Sequence, residues 1–187
     1  MLRNHDYLLI SACVFYKNNK RCHKRETVLI PTIIDIEASG FGRGSYPIEI
    51  GYVDGTLKTG CTLIKPLNQW THWNTEAEQL HGISRELLFS RGRTIAEVAA
   101  WLNEIFNNQT VYSDGWVNDM CWLGKLFNEA EMTQTFKIES ILMLLTEDEK
   151  ELWSSCHEQV FKKHNVVRHR ASSDAKIIQK TFIQLKK

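Results

Sequence analysis

Two carboxylic acids stand at the end of an apolar segment near the start of the chain. Asp35 and Glu37 fall at the carboxyl end of the predicted strand Val28–Ile36, which is rich in β-branched residues. Residues two apart in a strand point to one face, with Cα atoms about 6.6 Å apart. The two carboxylates would repel each other unless a cation lay between them, and Mg²⁺ or Mn²⁺ takes oxygen ligands of this kind. The alternative is a pair of acids at a solvated strand end.

A second pair, His169 and Asp174, lies near the carboxyl terminus of the sequence. Five residues of continuous helix would turn the two side chains to different faces. They converge only if His169 lies just before a helix and Asp174 in its first turns, where the helix dipole favours a carboxylate. A histidine whose pKa is near ~6.5 can accept a proton from an attacking water at neutral pH. The alternative is a surface histidine in a basic segment.

The third candidate acid is Asp119, near the start of a helix predicted over 117–129. Asp114 competes for the same role. Asp119 is preferred because an apolar helical stripe continues from it, whereas Asp114-Gly115 indicates a turn. The stripe consists of Met120, Leu123, Leu126 and Phe127.

The segments around these acids predict a mixed α/β sheet with helices packed on it. Further strands are predicted over Tyr46–Val53, Thr59–Lys65 and Thr110–Ser113, with Asp54-Gly55 as a hairpin turn. Capping boxes predict helix starts at Thr75/Glu78, Thr94/Glu97 and Thr146/Glu149, and another helix is predicted from about Ala171.

Composition narrows the class of protein. The 187 residues carry 23 Lys+Arg against 22 Asp+Glu, a net charge of +1, which argues against bulk electrostatic coating of nucleic acid. The five cysteines are scattered without a CxxC pair, so we expect neither a disulfide framework nor a thiolate zinc site, and we expect a cytoplasmic protein. The apolar run Tyr7–Tyr16 is shorter than the ~20 residues of a membrane span. We expect no membrane association, an appendage of unclear role over 1–26, and a single domain over 27–187.

Taken together, the motifs resemble the DEDDh group of 3′→5′ exonucleases, which includes polymerase proofreading subunits, ribonuclease T and oligoribonuclease. The second motif departs from the group, which often has His-Asn before its Asp where this chain has Ser113-Asp114-Gly115. The matching stretches are Ile34-Asp-Ile-Glu-Ala-Ser-Gly-Phe, Ile48-Glu-Ile-Gly-Tyr-Val, Leu80-His-Gly-Ile-Ser, Asn118-Asp-Met and His169-Arg-Ala-Ser-Ser-Asp.

The resemblance implies a ribonuclease H-like fold, an α/β mixed five-stranded sheet with helices on both faces. It also implies two-metal hydrolysis that removes nucleoside monophosphates from the 3′ end of single-stranded DNA or RNA, with His169 as general base. Two Mg²⁺ or Mn²⁺ ions would be held by Asp35, Glu37, Asp119 and Asp174. The alternative is a catalytically silent module of the same fold that binds nucleic acid or protein. The intact acids and histidine favour the enzyme.

Substrate contacts are predicted in the loop formed by Ala38, Ser39, Gly40 and Phe41, and at His81 by resemblance. Phe41 either stacks on a base or belongs to the core. A basic run either meets phosphates or is a solvated face. The predicted partner is a nucleic-acid 3′ end; a homodimer and a polymerase partner stay open, and nothing in the sequence supports the polymerase. The basic run consists of Lys162, Lys163, His164, Arg168, Arg170 and Lys176.

Overall fold

The computed structural model describes residues 9–11, 27–164 and 169–187. The strands in these ranges are β1 (Leu9–Ser11), β2 (Thr27–Leu29), β3 (Ile33–Ala38), β4 (Pro47–Val53), β5 (Thr59–Leu63), β6 (Thr110–Ser113) and β7 (Lys137–Ser140). The α-helices are α1 (Thr75–His81), α2 (Arg85–Arg91), α3 (Ile95–Phe106), α4 (Trp116–Glu129), α5 (Glu147–His164) and α6 (Ala171–Leu185). A short 3₁₀ helix, η1, spans Ile141–Leu144. Most of the predicted appendage, 1–26, lies outside the described residues, and the division into an appendage and one domain stays a prediction.

The main sheet has five strands in the order β5-β4-β3-β6-β7. The pairs β5–β4 and β4–β3 are antiparallel, whereas β3–β6 and β6–β7 are parallel. The predicted mixed five-stranded sheet is therefore confirmed. Strand β3, which carries the first two acids, is the central strand.

The strand predicted over Val28–Ile36 is two strands. Pro31 lies between β2 and β3 and has no backbone N–H to donate to a ladder, so the pairing changes there. Strand β2 pairs with β1 in a separate two-stranded sheet, and β3 enters the main sheet. The carbonyl of Pro31 accepts a hydrogen bond from Gln179 of α6 (2.9 Å), which ties this break to the helix.

Each face of the main sheet packs against helices. Ile34 and Ile36 of β3 lie in a core that includes residues of α3 and α4. Ile33, on the opposite face, packs with Ala175 and Ile178 of α6. The predicted helices on both faces are thus confirmed. Because the acids of β3 alternate with Ile34 and Ile36, they lie on the α6 face.

Two of the three predicted capping boxes are present. Thr94 and Glu97 exchange side-chain and backbone hydrogen bonds at the start of α3, and Thr146 and Glu149 do the same before α5. The box at Thr75 is wrong. There Asn74 is the N-cap and accepts from the Ala77 amide (2.9 Å), while Glu78 accepts from the indole N–H of Trp73 (2.6 Å).

Strand β7 was not predicted from the sequence. Its four residues carry one buried side chain, Ile138, so the periodic signal is weak. Its pairing with β6 and the indole hydrogen bond from Trp116 to the Ile138 carbonyl (3.0 Å) define the strand in three dimensions. In the described parts of the chain, no helix has both the length and the apolar character that crossing a membrane requires.

Gly51 of β4 allows α6 to lie directly on the sheet. A Cβ at this position would lie 2.1 Å from the backbone nitrogen of Ser172. We therefore expect Gly51→Ala to lower the free energy of unfolding by about 2 kcal/mol or more, a drop in Tm of roughly 4–8 °C, measured by thermal denaturation. Gly124→Ala is the matched control, because a Cβ there meets nothing within 4 Å. An equal Tm for the two variants would contradict this contact.

Candidate active site

The central strand presents two carboxylates at its carboxyl end. Asp35 and Glu37 are partly buried and share the face of β3 that packs on α6. Asp35 lies opposite Gly51 and Glu37 opposite Glu49 on the neighbouring strand β4. The predicted same-face arrangement is present, and it faces a third acid across the strand pair.

Asp119 approaches these acids from the first turn of α4. Its side chain is only 3% exposed. One carboxylate oxygen accepts a hydrogen bond from the hydroxyl of Ser113, the last residue of β6. Its position at a helix amino terminus favours negative charge. Together these features hold Asp119 beside the end of β3.

Asp114 lies on the other side of the acidic cluster. It is exposed in the turn after β6 and borders a polar cavity with Asp35 and Asp174. Asp119 borders a different, more apolar cavity that also reaches Asp35. Asp114 and Asp119, the two candidates for the third acid, therefore each line a cavity that Asp35 also lines.

His169 and Asp174 converge as predicted. His169 precedes α6, and its backbone N–H donates to a carboxylate oxygen of Asp174 in the first turn (2.8 Å). His169 has φ +59°, a left-handed conformation that is uncommon outside glycine. One ligand atom from each of Glu37, His169 and Asp174 lies within 4.8 Å of the others. The residues predicted from opposite ends of the sequence therefore form one group.

Burial raises the pKa of each acid in the cluster, and repulsion by neighbouring acids adds to the rise for Asp35, Glu37 and Asp119. Burial, then the charges of Asp174 and Glu49, raise the pKa of Glu37 to about 7, although Arg170 opposes the rise. Burial likewise raises the pKa of Asp119 to about 7, and its hydrogen bond from Ser113 offsets only part of the effect.

Several neighbouring acids act on Asp35. Burial, followed by the charges of Asp119 and Glu37, holds the pKa of Asp35 well above its usual range. Burial also raises the pKa of Asp174, against the hydrogen bond from the His169 amide. The acids therefore form a site in which proton or cation binding is favoured at neutral pH.

Two cavities meet at the acids. One, of about 240 Å³, is lined mainly by apolar groups, among them Phe41 and Leu80 on opposite elements. The other, of about 280 Å³, is lined mainly by titratable side chains, among them Asp114 and His157. Asp35, Glu37 and His169 border both cavities. The arrangement has room for an apolar group on one side of the acids and a charged group on the other.

The predicted substrate loop divides between the cavity and the core. Ala38, Gly40 and Phe41 line the apolar cavity. Ser39 is buried; its hydroxyl pairs with Nδ1 of His72 (3.0 Å) and accepts from the Tyr46 amide (3.2 Å). Ser39 therefore shapes the loop and does not line the cavity.

Phe41 and His81 offer different contacts to that cavity. Phe41 is 74% exposed, so the alternative that it belongs to the core is wrong. Its ring lies 5.9 Å from that of Trp122. His81 is buried, its Nδ1 accepts from the Ile83 amide (3.0 Å), and its Nε2 has no partner among the described residues. Burial lowers the pKa of His81, which favours the neutral ring. Because Nδ1 accepts a hydrogen bond, the single ring hydrogen lies on Nε2.

Sequence reasoning missed three residues at the site. Glu49 was matched only as part of a strand motif, yet a charged residue in an otherwise apolar strand was a signal. Arg170 was assigned to the basic run, but its guanidinium pairs with Glu49 (2.7 Å). His157 is in the middle of α5 and faces the acids only because α5 packs across α6; nothing in its local sequence indicates this.

The members of the basic run have different surroundings in the described residues. Lys162 pairs with Glu158 one turn earlier on α5 (3.2 Å). His164 lies 3.1 Å from the amine of Lys180. Lys163 is exposed and Lys176 is partly buried. Arg168 lies outside the described residues.

The raised pKa values predict that the metal-free protein loses stability as pH rises. The folded state holds protons on Glu37 and Asp119 up to pH 7, whereas the unfolded state releases them near pH 4–4.5. Stability contributed by these protons is present below the unfolded pKa and is lost as pH rises through about 7. We expect Tm in EDTA to fall by roughly 5 °C between pH 5.5 and 8, measured by scanning calorimetry.

Glu37→Gln is the control for this pH dependence, because the amide cannot titrate. It should flatten the change in Tm with pH. Millimolar Mg²⁺ or Mn²⁺ should raise the wild-type Tm at pH 8, since a ligand that binds only the folded state stabilises it. Two results would contradict the raised pKa values and cation binding of the acids. One is a wild-type Tm that rises steadily from pH 5.5 to 8 in EDTA, and the other is a Tm at pH 8 that neither cation changes.

Solved structures of exonuclease I share this fold. E. coli exonuclease I in complex with a dT13 oligonucleotide matches with a TM-score of 0.65 and 13% identity, over 83% of this chain and 41% of that one. The zinc-ion-bound form of the E. coli exonuclease I complex with single-stranded DNA matches with a TM-score of 0.62 and 13% identity, over 81% and 39%. No protein-family model and no curated protein matches this chain.

These likenesses show the fold. The chain has the α/β, ribonuclease H-like architecture of the matching part of exonuclease I, as the resemblance implied. It spans about 40% of the length of the exonuclease I chains it matches.

Proposed function

We propose that this chain is a metal-dependent 3′→5′ exonuclease of the DEDDh type, which removes nucleoside monophosphates from single-stranded DNA or RNA. The observation that carries the proposal is the meeting of four carboxylates and one histidine at the end of the central strand. Asp35 and Glu37 come from β3, and Asp119 comes from α4. His169 lies just before α6, and Asp174 lies in the first turn of that helix. The fold shared with exonuclease I supports the same class of chemistry.

The donor set fits divalent cations. Carboxylates whose pKa values are raised by burial and by one another bind a cation in place of protons, and all-oxygen ligands suit Mg²⁺ or Mn²⁺. Asp35, Glu37, Asp119 and Asp174 would hold two such ions. When bound, they would supply Lewis-acid polarisation of the phosphate and charge balance for the attacking and leaving oxygens.

His169 is the proposed general base. Its ligand atom lies within 4.8 Å of those of Glu37 and Asp174, so its imidazole borders the region in which a water would attack. The backbone bond from His169 to Asp174 orients the residue that carries the ring. The imidazole would take the proton of that water as its oxygen bonds to phosphorus, while the bond from phosphorus to the 3′ oxygen of the shortened strand breaks and that oxygen leaves with the strand.

The apolar cavity is the proposed place of the terminal nucleoside. Phe41 and Leu80, 74% and 61% exposed, present apolar surface on which a base can stack or pack. The Nε2–H of His81, without a partner among the described residues, can donate to a nucleoside oxygen. The dA16 and dT13 complexes of exonuclease I support a single strand as the substrate.

The test is digestion of 5′-labelled single-stranded DNA and RNA of matched sequence with Mg²⁺, Mn²⁺ or EDTA. We expect a metal-dependent ladder that shortens from the 3′ end, with nucleoside monophosphates as products. Asp119→Ala should remove the ladder, whereas Asp148→Asn, at an exposed acid in the first turn of α5, should leave it. The polymer that is degraded faster identifies the substrate class.

No cleavage of either polymer by the wild-type protein would contradict the proposal. If binding of the labelled strands persisted without cleavage, the silent binding module would be the better description. Cleavage that continues in EDTA, or in Asp119→Ala at the wild-type rate, would overturn the assigned metal site.

A further inference from the structure

Glu49 and Arg170 form a two-point ion pair next to the acids. Nε and Nη2 of Arg170 donate to the two oxygens of Glu49 at 2.7–3.2 Å. The Glu49 side chain is 2% exposed, and Glu49 lies directly opposite Glu37 on the neighbouring strand. A carboxylate this deeply buried has little access to any substrate. It can act only through the residues that it holds.

The same carboxylate fixes the start of α6. One oxygen of Glu49 accepts from the backbone N–H of Ala171 (2.9 Å). Arg170, the N-cap residue, makes no capping bond with its own side chain, so a strand residue 122 positions away supplies an acceptor for the helix. Gly51 lies beneath Ser172, where a Cβ would collide with the backbone. The Glu49 carboxylate and the close contact at Gly51 therefore hold the first turn of α6 against β4.

The pair also holds a strained residue. His169 adopts a left-handed backbone conformation, which costs about 1 kcal/mol or more for a residue with a Cβ and persists only where its surroundings impose it. Two contacts do so here. The His169 amide donates to Asp174, and the next residue, Arg170, is anchored to the sheet.

We propose that the Glu49–Arg170 ion pair is a positioning device that sets the imidazole of His169 and the carboxylate of Asp174 over the acids of β3. This inference rests on the proposed exonuclease function and adds two residues to it. Neither is a catalytic residue: the pair acts through the backbone of 169–171. An arginine is required, because lysine carries the charge but cannot make the paired bonds to both oxygens.

A contact between Arg170 and substrate phosphate is the competing role. Two of the three guanidinium nitrogens are already engaged by Glu49, and Glu49 neutralises the charge. A positioning role predicts a loss in kcat, because misplacement of a reacting group by about 1 Å can cost ~10²-fold. A phosphate contact predicts a rise in KM instead.

The experiment compares Arg170→Lys, Glu49→Gln and the double variant with the wild type. On single-stranded DNA with Mg²⁺, we expect kcat to fall by roughly 10- to 100-fold while KM stays within about threefold. The double variant should be no worse than the more impaired single variant, because both changes break one device. Glu149→Gln is the matched control, since it breaks the Lys186–Glu149 pair near the other end of α6 and should leave kcat unchanged.

Hydrogen exchange of the peptide that contains His169 and Asp174 gives a readout independent of activity. Exchange of this peptide should accelerate by about tenfold in Arg170→Lys and stay at the wild-type rate in Glu149→Gln. If Glu49→Gln fails to fold, Arg170→Lys still decides the question.

An unchanged kcat in Arg170→Lys with a lowered Tm would overturn the inference and leave the pair a purely structural role. So would a higher KM at constant kcat, which would assign Arg170 to substrate. If the wild type cleaves nothing, the proposed function fails by itself. Unchanged exchange at 169–174 in Arg170→Lys would then refute the positioning role separately.

Discussion

Asp35→Asn is expected to lower kcat by about 10³-fold or more and, without metal, to raise Tm at pH 8. Burial of Asp35, followed by the negative charges of the other acids, holds the pKa of this carboxyl well above its usual range. Loss of a ligand to a catalytic cation removes several kcal/mol of transition-state stabilisation, and each 1.36 kcal/mol is tenfold in rate. The amide also removes repulsion that the metal-free fold must tolerate at this pH.

The two readouts are steady-state turnover of single-stranded DNA and thermal melts at pH 8 in EDTA and in millimolar Mg²⁺. In EDTA, Asp35→Asn should melt several degrees above the wild type, and Mg²⁺ should no longer raise its Tm. Opposite changes in activity and stability at one position are typical of a functional site.

Asp148→Asn serves again as the matched control, because it removes an exposed acid away from the cluster. Neither its turnover nor its Mg²⁺-dependent Tm should change. An Asp35→Asn protein that retains turnover, or that melts below the wild type in EDTA at pH 8, would rule out a repulsive, metal-binding role for this carboxylate.

His169→Ala is expected to lose ~10²-fold or more in turnover while it keeps the metal-dependent rise in Tm. The four carboxylates remain, so cation binding should persist. What is lost is the imidazole that we propose takes the proton of the attacking water. The measurement pairs kcat on single-stranded DNA with melts in EDTA and in Mg²⁺.

The left-handed backbone of His169 calls for a second variant. Asparagine tolerates this conformation better than alanine, so His169→Asn separates loss of the imidazole from a shift of the backbone. Both variants should lose turnover to a similar extent. If only His169→Ala is impaired, the backbone conformation matters and the imidazole does not.

His157 provides the discriminating comparison. It is the other histidine among the described residues that borders the polar cavity. His157→Ala should retain most of the turnover if His169 is the base. A full loss in His157→Ala together with full activity in His169→Ala would reassign the base to α5.

Local geometry explains what was predictable. The same-face placement of Asp35 and Glu37 follows from the two-residue period of a strand, and the meeting of His169 with Asp174 follows from the start of a helix between them. The capping box at Thr94 could be predicted because its two partners are only three residues apart, and both of its hydrogen bonds are present. The box predicted at Thr75 is wrong although its spacing is the same. The neighbouring Asn74 caps the helix, and the glutamate of the predicted box accepts a hydrogen bond from the indole of Trp73.

Non-local packing decided the rest. The α/β class, the acids of β3 and the histidine–aspartate pair were predictable, because each follows from patterns within short stretches of the chain. Only the tertiary structure placed Asp114 and Asp119 beside different cavities, brought His157 of α5 to the acids, and paired Glu49 with Arg170 across 121 positions. Those contacts depend on how the helices pack against the sheet, for example at Gly51 beneath α6. The spacing of residues along one strand or helix does not predict such packing.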